Sequence, residues 1–235
     1  MLAVRAERSA HSAYGAAGRM AVATVYGTLL NHRAALAALG DAVNQPPYKA
    51  PPKAPVLYIK PRNTHNGNDG VINVPQGVAE LEMGASLGIV IGRSACRVAE
   101  HEALSVVAGY TVCNDVSVPH ESFYRPSMRF KCRDGFMPIG PHLVGTQQVP
   151  APDALGITVT IDGAAALRSS TAGMQRPVAA LIAAVSHFMT LSPGDVLMLG
   201  VPAGAPRARV GQRVSITIDG VGTLENTLVA EEAAA

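Results

Sequence analysis

Two short segments constrain the fold more than anything else in the chain. Ile157-Thr158-Val159-Thr160-Ile161 and Val214-Ser215-Ile216-Thr217-Ile218 alternate an apolar residue with Thr or Ser, and each runs directly into Asp-Gly. A period of two places the apolar side chains on one face of a strand, and Asp-Gly supplies the positive backbone angles of a tight hairpin. Antiparallel sheet with one buried face is therefore expected in the second half of the chain.

The first half adds strands and interrupts them with proline. Val22 to Leu30 is a β-prone apolar run, and His32 to Leu39 is expected to form a short helix ended by Gly40. Gln45 to Pro55 contains five prolines, which remove backbone donors and predict an extended loop. A strand from Val56 to Ile59 then delivers Lys60 into a turn, Lys60-Pro61-Arg62-Asn63-Thr64. Ala85 to Gly92 reads as strand, Glu100 to Val107 as helix, and Gly109 to Cys113 as strand, with Asn114-Asp115 at its end. Arg176 to Leu191, with Pro177 near its first turn, is the clearest amphipathic helix, and Ser192-Pro193-Gly194-Asp195 turns from it into a strand from Val196 to Leu199. Together these segments predict an α+β, β-rich fold with few helices.

Composition excludes several classes. At 235 residues with no internal repeat or linker, one domain over 21–235 is expected, preceded by a loose extension over 1–20. There is no Trp, so Val, Ile, Leu and Ala must fill the core, with Met83, Met174, Met189 and Met198 among them. A net charge of +2, with no Lys/Arg run interleaved by aromatics, argues against nucleic acid as a partner. No stretch is apolar enough for a membrane span, and Cys96, Cys113 and Cys132 show neither zinc nor disulfide spacing. The expected compartment is the cytoplasm.

Four polar clusters fall at strand ends or in the loops after them: Lys60 to Thr64, Asn114-Asp115, Ser122 to Arg125, and Lys131 to Asp134. Loops anchored by a rigid sheet are where sites concentrate. Lys60, Arg125 and Lys131 suit the carboxylates and enolate oxygens of a small anionic oxoacid, and Asp115 suits a hard cation. His101, His142 and His187 have no paired ligand spacing and read as structural.

The order of these motifs resembles the fumarylacetoacetate hydrolase family. The resemblance rests on Gly109-Tyr110-Thr111-Val112-Cys113-Asn114-Asp115, Phe123-Tyr124-Arg125-Pro126, Lys131-Cys132-Arg133-Asp134-Gly135-Phe136, Pro138-Ile139-Gly140-Pro141, Ser192-Pro193-Gly194-Asp195, and Gly200-Val201-Pro202-Ala203-Gly204. It covers nearly all of residues 22 to 232. Leu30 to Arg33, Pro46 to Lys53 and Ile59 to Thr64 are most similar to the N-terminal half of the bifunctional decarboxylase/isomerases of homoprotocatechuate (4-hydroxyphenylacetate) breakdown.

The resemblance implies a mixed β-roll with few peripheral helices, a dimer or a heteromer with a homologous subunit, and a Mg²⁺ or Mn²⁺ cofactor. It implies decarboxylation of 5-carboxymethyl-2-oxo-hex-3-ene-dioate and isomerisation of 2-hydroxyhepta-2,4-diene-1,7-dioate. Lys131 would be catalytic, Lys60, Arg125 and Asp134 would bind substrate, and Asp115 would bind metal. A non-catalytic partner of a metal-bearing homologue, or a hydrolase or decarboxylase of another acylpyruvate-like acid, are the alternatives.

The sequence also departs from the family's pattern. Where the resemblance places a Glu-x-Glu metal pair, this chain has Gly84 and Ser86, and its own Glu80 and Glu82 become ligands only if a bulge shifts the register. Ala35 and Ala38 occupy the places of the family's His-x-x-Glu acid/base pair, which leaves His32 as a helix-start residue. Pro119-His120 replaces a common Arg-Asp, and Val201 replaces a Thr, removing a hydroxyl that could orient an oxyanion.

Overall fold

The protein is described from a computed structural model, in which residues 22–120 and 127–232 are placed. The 1–20 extension lies outside the described residues. The two alternating segments form the strands Gly156–Ile161 and Arg213–Ile218, paired antiparallel with Ile157 opposite Ile218. Gly156–Ile161 turns through Asp162 and Gly163, both at positive φ, into Ala164–Ser170. Arg213–Ile218 turns through Gly220 into Gly222–Ala230. Gly222–Ala230 also pairs in parallel with Val71–Val74, completing a five-stranded sheet.

The second sheet has six strands in the order Val56–Lys60, Val25–Leu29, Val196–Met198, Ala85–Ile91, Val107–Asn114, Val144–Gly145. Val25–Leu29 and Val196–Met198 run parallel, and the other pairings are antiparallel. All seven residues of Ala85–Ile91 are buried, because both faces of this sheet are covered. Leu87, Ile89 and Ile91 face the main core with Ile157, Val159, Ile216, Leu224 and Leu228 of the other sheet. Val90 faces a smaller cluster with Val25, Cys113, Met137, Ile139, Val196 and Met198. Met83, Met174 and Met198 are buried and Met189 packs on the core, so methionine fills gaps as expected.

The helices are shorter than the sequence pattern predicts. Arg176 to Leu191 yields helix only over Val178–Ser186, whose Val178, Leu181, Ile182 and Val185 are buried at helical spacing. Beyond it, Leu191 exchanges backbone hydrogen bonds with Ala95, and a bridge formed with a distant loop outcompetes another helical turn. Glu100–Val106 is a 3₁₀ run, and Arg33–Ala37 is a single α-helical turn followed by the 3₁₀ segment Gly40–Asn44. Gln45 to Pro55 contains neither helix nor strand, as its prolines dictate. No helix among the described residues is long and apolar enough to cross a membrane.

One glycine positions the site. Gly27 lies opposite Tyr58 in the antiparallel pair, and a Cβ on Gly27 would fall inside the Tyr58 ring. The ring therefore lies flat over the glycine, with its hydroxyl reaching past the strand. Gly27→Ala is expected to destabilise the fold by about 1–3 kcal/mol, the usual cost of overpacking, read as a lower urea midpoint. An alanine variant as stable as the wild type would mean that the ring is not held there.

Candidate active site

The centre of the site is a buried carboxylate held between two ammonium groups. Asp115 follows the last residue of Val107–Asn114, Lys60 ends Val56–Lys60, and Lys131 ends the short helix Met128–Lys131. Lys60 Nζ lies 2.8 Å from Asp115 Oδ1, and Lys131 Nζ lies 2.6 Å from Oδ2. The Tyr58 hydroxyl also donates to Oδ2. All of this takes place with Asp115 2% exposed.

Burial alone would raise the Asp115 pKa, but the charges of Lys131 and Lys60 and the hydrogen bond from Lys131 hold its carboxyl well below the usual carboxylate range. Burial pushes Lys60 down to about 8, against the pull of Asp115 and with Lys131 adding to the fall. Tyr58 is raised by its burial and by Asp115, so its phenol keeps its proton and donates it. Two lysines thus share a single carboxylate.

The two lysines have different surroundings. Lys60 was expected at the substrate, but it is fully buried and donates to the backbone carbonyls of Val116, Lys131 and Phe136 at 2.8–2.9 Å. Its three N–H groups are used by those carbonyls, so its contact with Asp115 Oδ1 is a charge contact, and Oδ1 has no aligned donor. Lys60 thus ties the 115–116 and 131–136 segments together from behind the carboxylate. Lys131 instead reaches a cavity of about 280 Å³ on the other side, also lined by Thr28, Tyr58, Glu82, Gly84 and Asp115.

Other sequence expectations separate in the same way. Asp134 was expected to bind substrate, but it accepts from Asn63 Nδ2 at 2.7 Å in an exposed turn and does not line this cavity. Arg125 lies outside the described residues. Glu80 points outward and pairs with Arg207 at 3.4 Å. Glu82 does line the cavity, and no bulge is needed: it sits two residues before Gly84, on the same side of an extended segment. His101, His142 and His187 are exposed, where packed structural roles were expected.

Ala35 and Ala38 also line the cavity, so the places expected for an acid/base pair carry methyl groups. His32 is the N-cap residue of Arg33–Ala37, and its ring packs where a Cβ on Gly173 would stand. Sequence reasoning missed Tyr58, whose hydroxyl donates to Asp115. Tyr58 stands two residues before Lys60 in one strand, and that same-face spacing was the signal for it.

A fumarylacetoacetate (FAA) hydrolase C-terminal family model matches residues 24–229. The chain belongs to the fumarylacetoacetate hydrolase family. It is 44% identical over 208 residues to a 4-hydroxyphenylacetate degradation bifunctional isomerase/decarboxylase of Escherichia coli, covering 88% of this chain and 47% of that one. A homoprotocatechuate catabolism bifunctional isomerase/decarboxylase, also of Escherichia coli, is 43% identical over 88% of this chain and 48% of its own. The chain thus spans about half the length of these relatives.

The 2-hydroxyhepta-2,4-diene-1,7-dioate isomerase of Mycobacterium marinum superposes with TM-score 0.76 at 30% identity, covering 91% of this chain and 77% of the other. Fumarylpyruvate hydrolase of Pseudomonas aeruginosa, solved with Mn²⁺ and pyruvate, has TM-score 0.76 at 26% identity over 89% and 91% of the two chains.

That Mn²⁺ complex makes it necessary to ask whether this family member's residues fit a divalent cation. A hard cation needs several oxygen ligands and is repelled by neighbouring positive charge. Both oxygens of Asp115 already face ammonium groups, and the described residues contain no cluster of three His, Cys, Asp or Glu able to hold a metal. At Gly84 a Cβ would come within 2.6 Å of the Asp115 carbonyl oxygen, so no longer side chain fits without backbone movement. Ser86 is buried and its Oγ accepts from Gly200 N at 3.1 Å, which binds it to the sheet. The described residues do not fit the family's metal.

Proposed function

We propose that this chain is a decarboxylase/isomerase unit acting on small unsaturated 2-oxo dicarboxylates, namely 5-carboxymethyl-2-oxo-hex-3-ene-dioate and 2-hydroxyhepta-2,4-diene-1,7-dioate. The observation that carries the reading is Lys131, whose ammonium meets a cavity close to the lower end of the 300–1,000 Å³ usual for small-molecule sites. Behind it Asp115 and Lys60 balance each other, and the walls are otherwise largely apolar, with Leu29, Leu39, Val201 and Pro202. Such a cavity favours a compact anion with a hydrocarbon middle.

In the decarboxylation, the bond from C5 to its carboxylate breaks and CO₂ leaves. The electron pair moves through the C3–C4 double bond onto the 2-oxo oxygen, giving a dienolate. Charge therefore develops on one oxygen, and a preoriented ammonium beside it stabilises the transition state more than the ground state. Lys131 supplies that ammonium, and Asp115 with Tyr58 keeps it oriented. Protonation of the oxygen yields the 2-hydroxydiene; in the isomerisation that hydroxyl loses its proton, the electron pair returns through the diene, and C5 takes up a proton to give the 2-oxo-3-ene.

The test is release of CO₂ and loss of the enone absorbance by the purified chain in the presence of EDTA. Turnover in the chelator supports the reading, and no turnover with or without Mg²⁺ or Mn²⁺ overturns it. A second reading is favoured by the chain's spanning about half the length of its relatives: a subunit that works with a homologous half. Turnover that appears only when such a half is added would select that reading.

A further inference from the structure

Four ionisable side chains line the cavity: Tyr58, Glu82, Asp115 and Lys131. Three of them are committed to one another, because Asp115 Oδ2 accepts from both Lys131 Nζ and the Tyr58 hydroxyl. Glu82 is the exception. No hydrogen bond or ion pair engages its carboxylate among the described residues, and Arg207, its cross-strand partner, turns instead to Glu80 at 3.4 Å. A bare carboxylate facing a dianionic substrate weakens binding. The same group holding a proton is the acid that the isomerisation needs.

The direction of the Glu82 side chain follows from its strand. Leu81 and Met83 are fully buried in the main core, so Glu82 between them leaves by the opposite face. Gly84 lies on that same face, and a Cβ there would meet Asp115 Cβ at 3.0 Å and Val201 Cγ2 at 3.1 Å, both residues of the cavity wall. The backbone is fixed from two sides: Glu82 exchanges hydrogen bonds with Ser117 at 2.9 and 3.2 Å, and Met83 N donates to Pro206 O at 2.8 Å. Glu82 is half-buried, so a proton that it gives up is restored from water.

We propose that Glu82 is the catalytic acid of the isomerisation, giving a proton to C5 of the dienolate whose oxygen Lys131 holds. The Glu82 O–H bond breaks, the C5–H bond forms with the electron pair returning through the diene, and the 2-oxo group re-forms at Lys131. The hydroxyl proton of the substrate goes to water, and water returns one to Glu82. The net change is the shift of one proton from oxygen to carbon. Decarboxylation takes no proton from Glu82, since its electron pair ends on the oxygen. The inference rests on the proposed function, for which it names the proton donor.

The probe is 2-hydroxyhepta-2,4-diene-1,7-dioate, whose diene absorbance is followed with the whole chain in EDTA after subtraction of the uncatalysed ketonisation. Release of CO₂ from the carboxylated substrate is measured on the same preparation. Glu82→Gln is expected to lower kcat for isomerisation about a hundredfold or more, the usual loss of a positioned general acid. Its KM is expected to stay level or fall, because the repelling charge is gone. Release of CO₂ is expected to remain within about threefold of the wild type, since that transition state does not use the acid. The variant is expected to melt within about 2 °C of the wild type, because the side chain has no partner to lose. Glu82→Asp, which keeps an acid on a shorter stem, is expected to isomerise faster than the glutamine variant and slower than the wild type.

Isomerisation by Glu82→Gln within about threefold of the wild type overturns the proposal, as does a wild type that leaves the diene unchanged. So does a higher KM at unchanged kcat, which would make Glu82 a binding group, or an equal loss of CO₂ release, which would make it a structural one. The two proposals fail separately. A chain that releases no CO₂ but isomerises the diene through Glu82 loses the decarboxylase reading and keeps this residue. A chain that releases CO₂ and isomerises without regard to Glu82 keeps the function and loses this residue.

Discussion

Lys131→Met is expected to lower kcat for decarboxylation by roughly a hundred- to a thousandfold, the usual cost of removing one preoriented donor from a developing oxyanion. The fold should survive, because Asp115 retains Lys60 and Tyr58 and the methionine stem can occupy the same volume. Steady-state kinetics and a thermal melt on the same preparation separate the two effects. Lys131→Arg is the sharper control. It keeps the charge but spreads it over a planar fork, so it should recover binding of an anion better than it recovers turnover. A methionine variant within about tenfold of wild-type kcat would remove Lys131 from the chemistry.

Asp115→Ala is expected to be the most destabilising single change at the site. It leaves two buried ammonium groups facing each other without their shared counter-ion, and breaking a buried pair in this way costs about 3–5 kcal/mol. For a chain of this size that corresponds to a melting temperature lower by roughly 10 °C. The charge argument makes a second statement that simple loss of packing does not. Adding Lys60→Met to Asp115→Ala removes one of the stranded charges, so the double variant should lose less than the sum of the two single losses. Additive losses would show that the three groups do not act as a unit, as would a fully stable Asp115→Ala.

The strands were legible because their signals are local. Alternation at Ile157–Ile161 and Val214–Ile218, with Asp-Gly after each, needs nothing outside ten residues to specify a half-buried strand and a turn. The prolines of 45–55 act just as locally. The helix ends were misread where a distant partner decides them: Leu191 leaves the helical pattern because Ala95 offers it a bridge. Family resemblance singled out both Asp115 and Lys131, and the structure brings their charged atoms to 2.6 Å.

Much of the site's character was beyond the sequence because it depends on which way a side chain leaves its strand and on what stands behind it. Lys60 and Lys131 are both cations at element ends, indistinguishable as residue types. Packing alone turns the first into a buried tie between three carbonyls and leaves the second at the cavity.

By itself, then, the sequence determined the strands, the turns and the family, since these follow from backbone preference and from motifs contiguous along the chain. Only the tertiary structure decided which charges neutralise one another and which face the cavity. Coulombic and desolvation energies depend on distances of a few ångströms between residues 16 to 57 positions apart, and no local pattern encodes those distances.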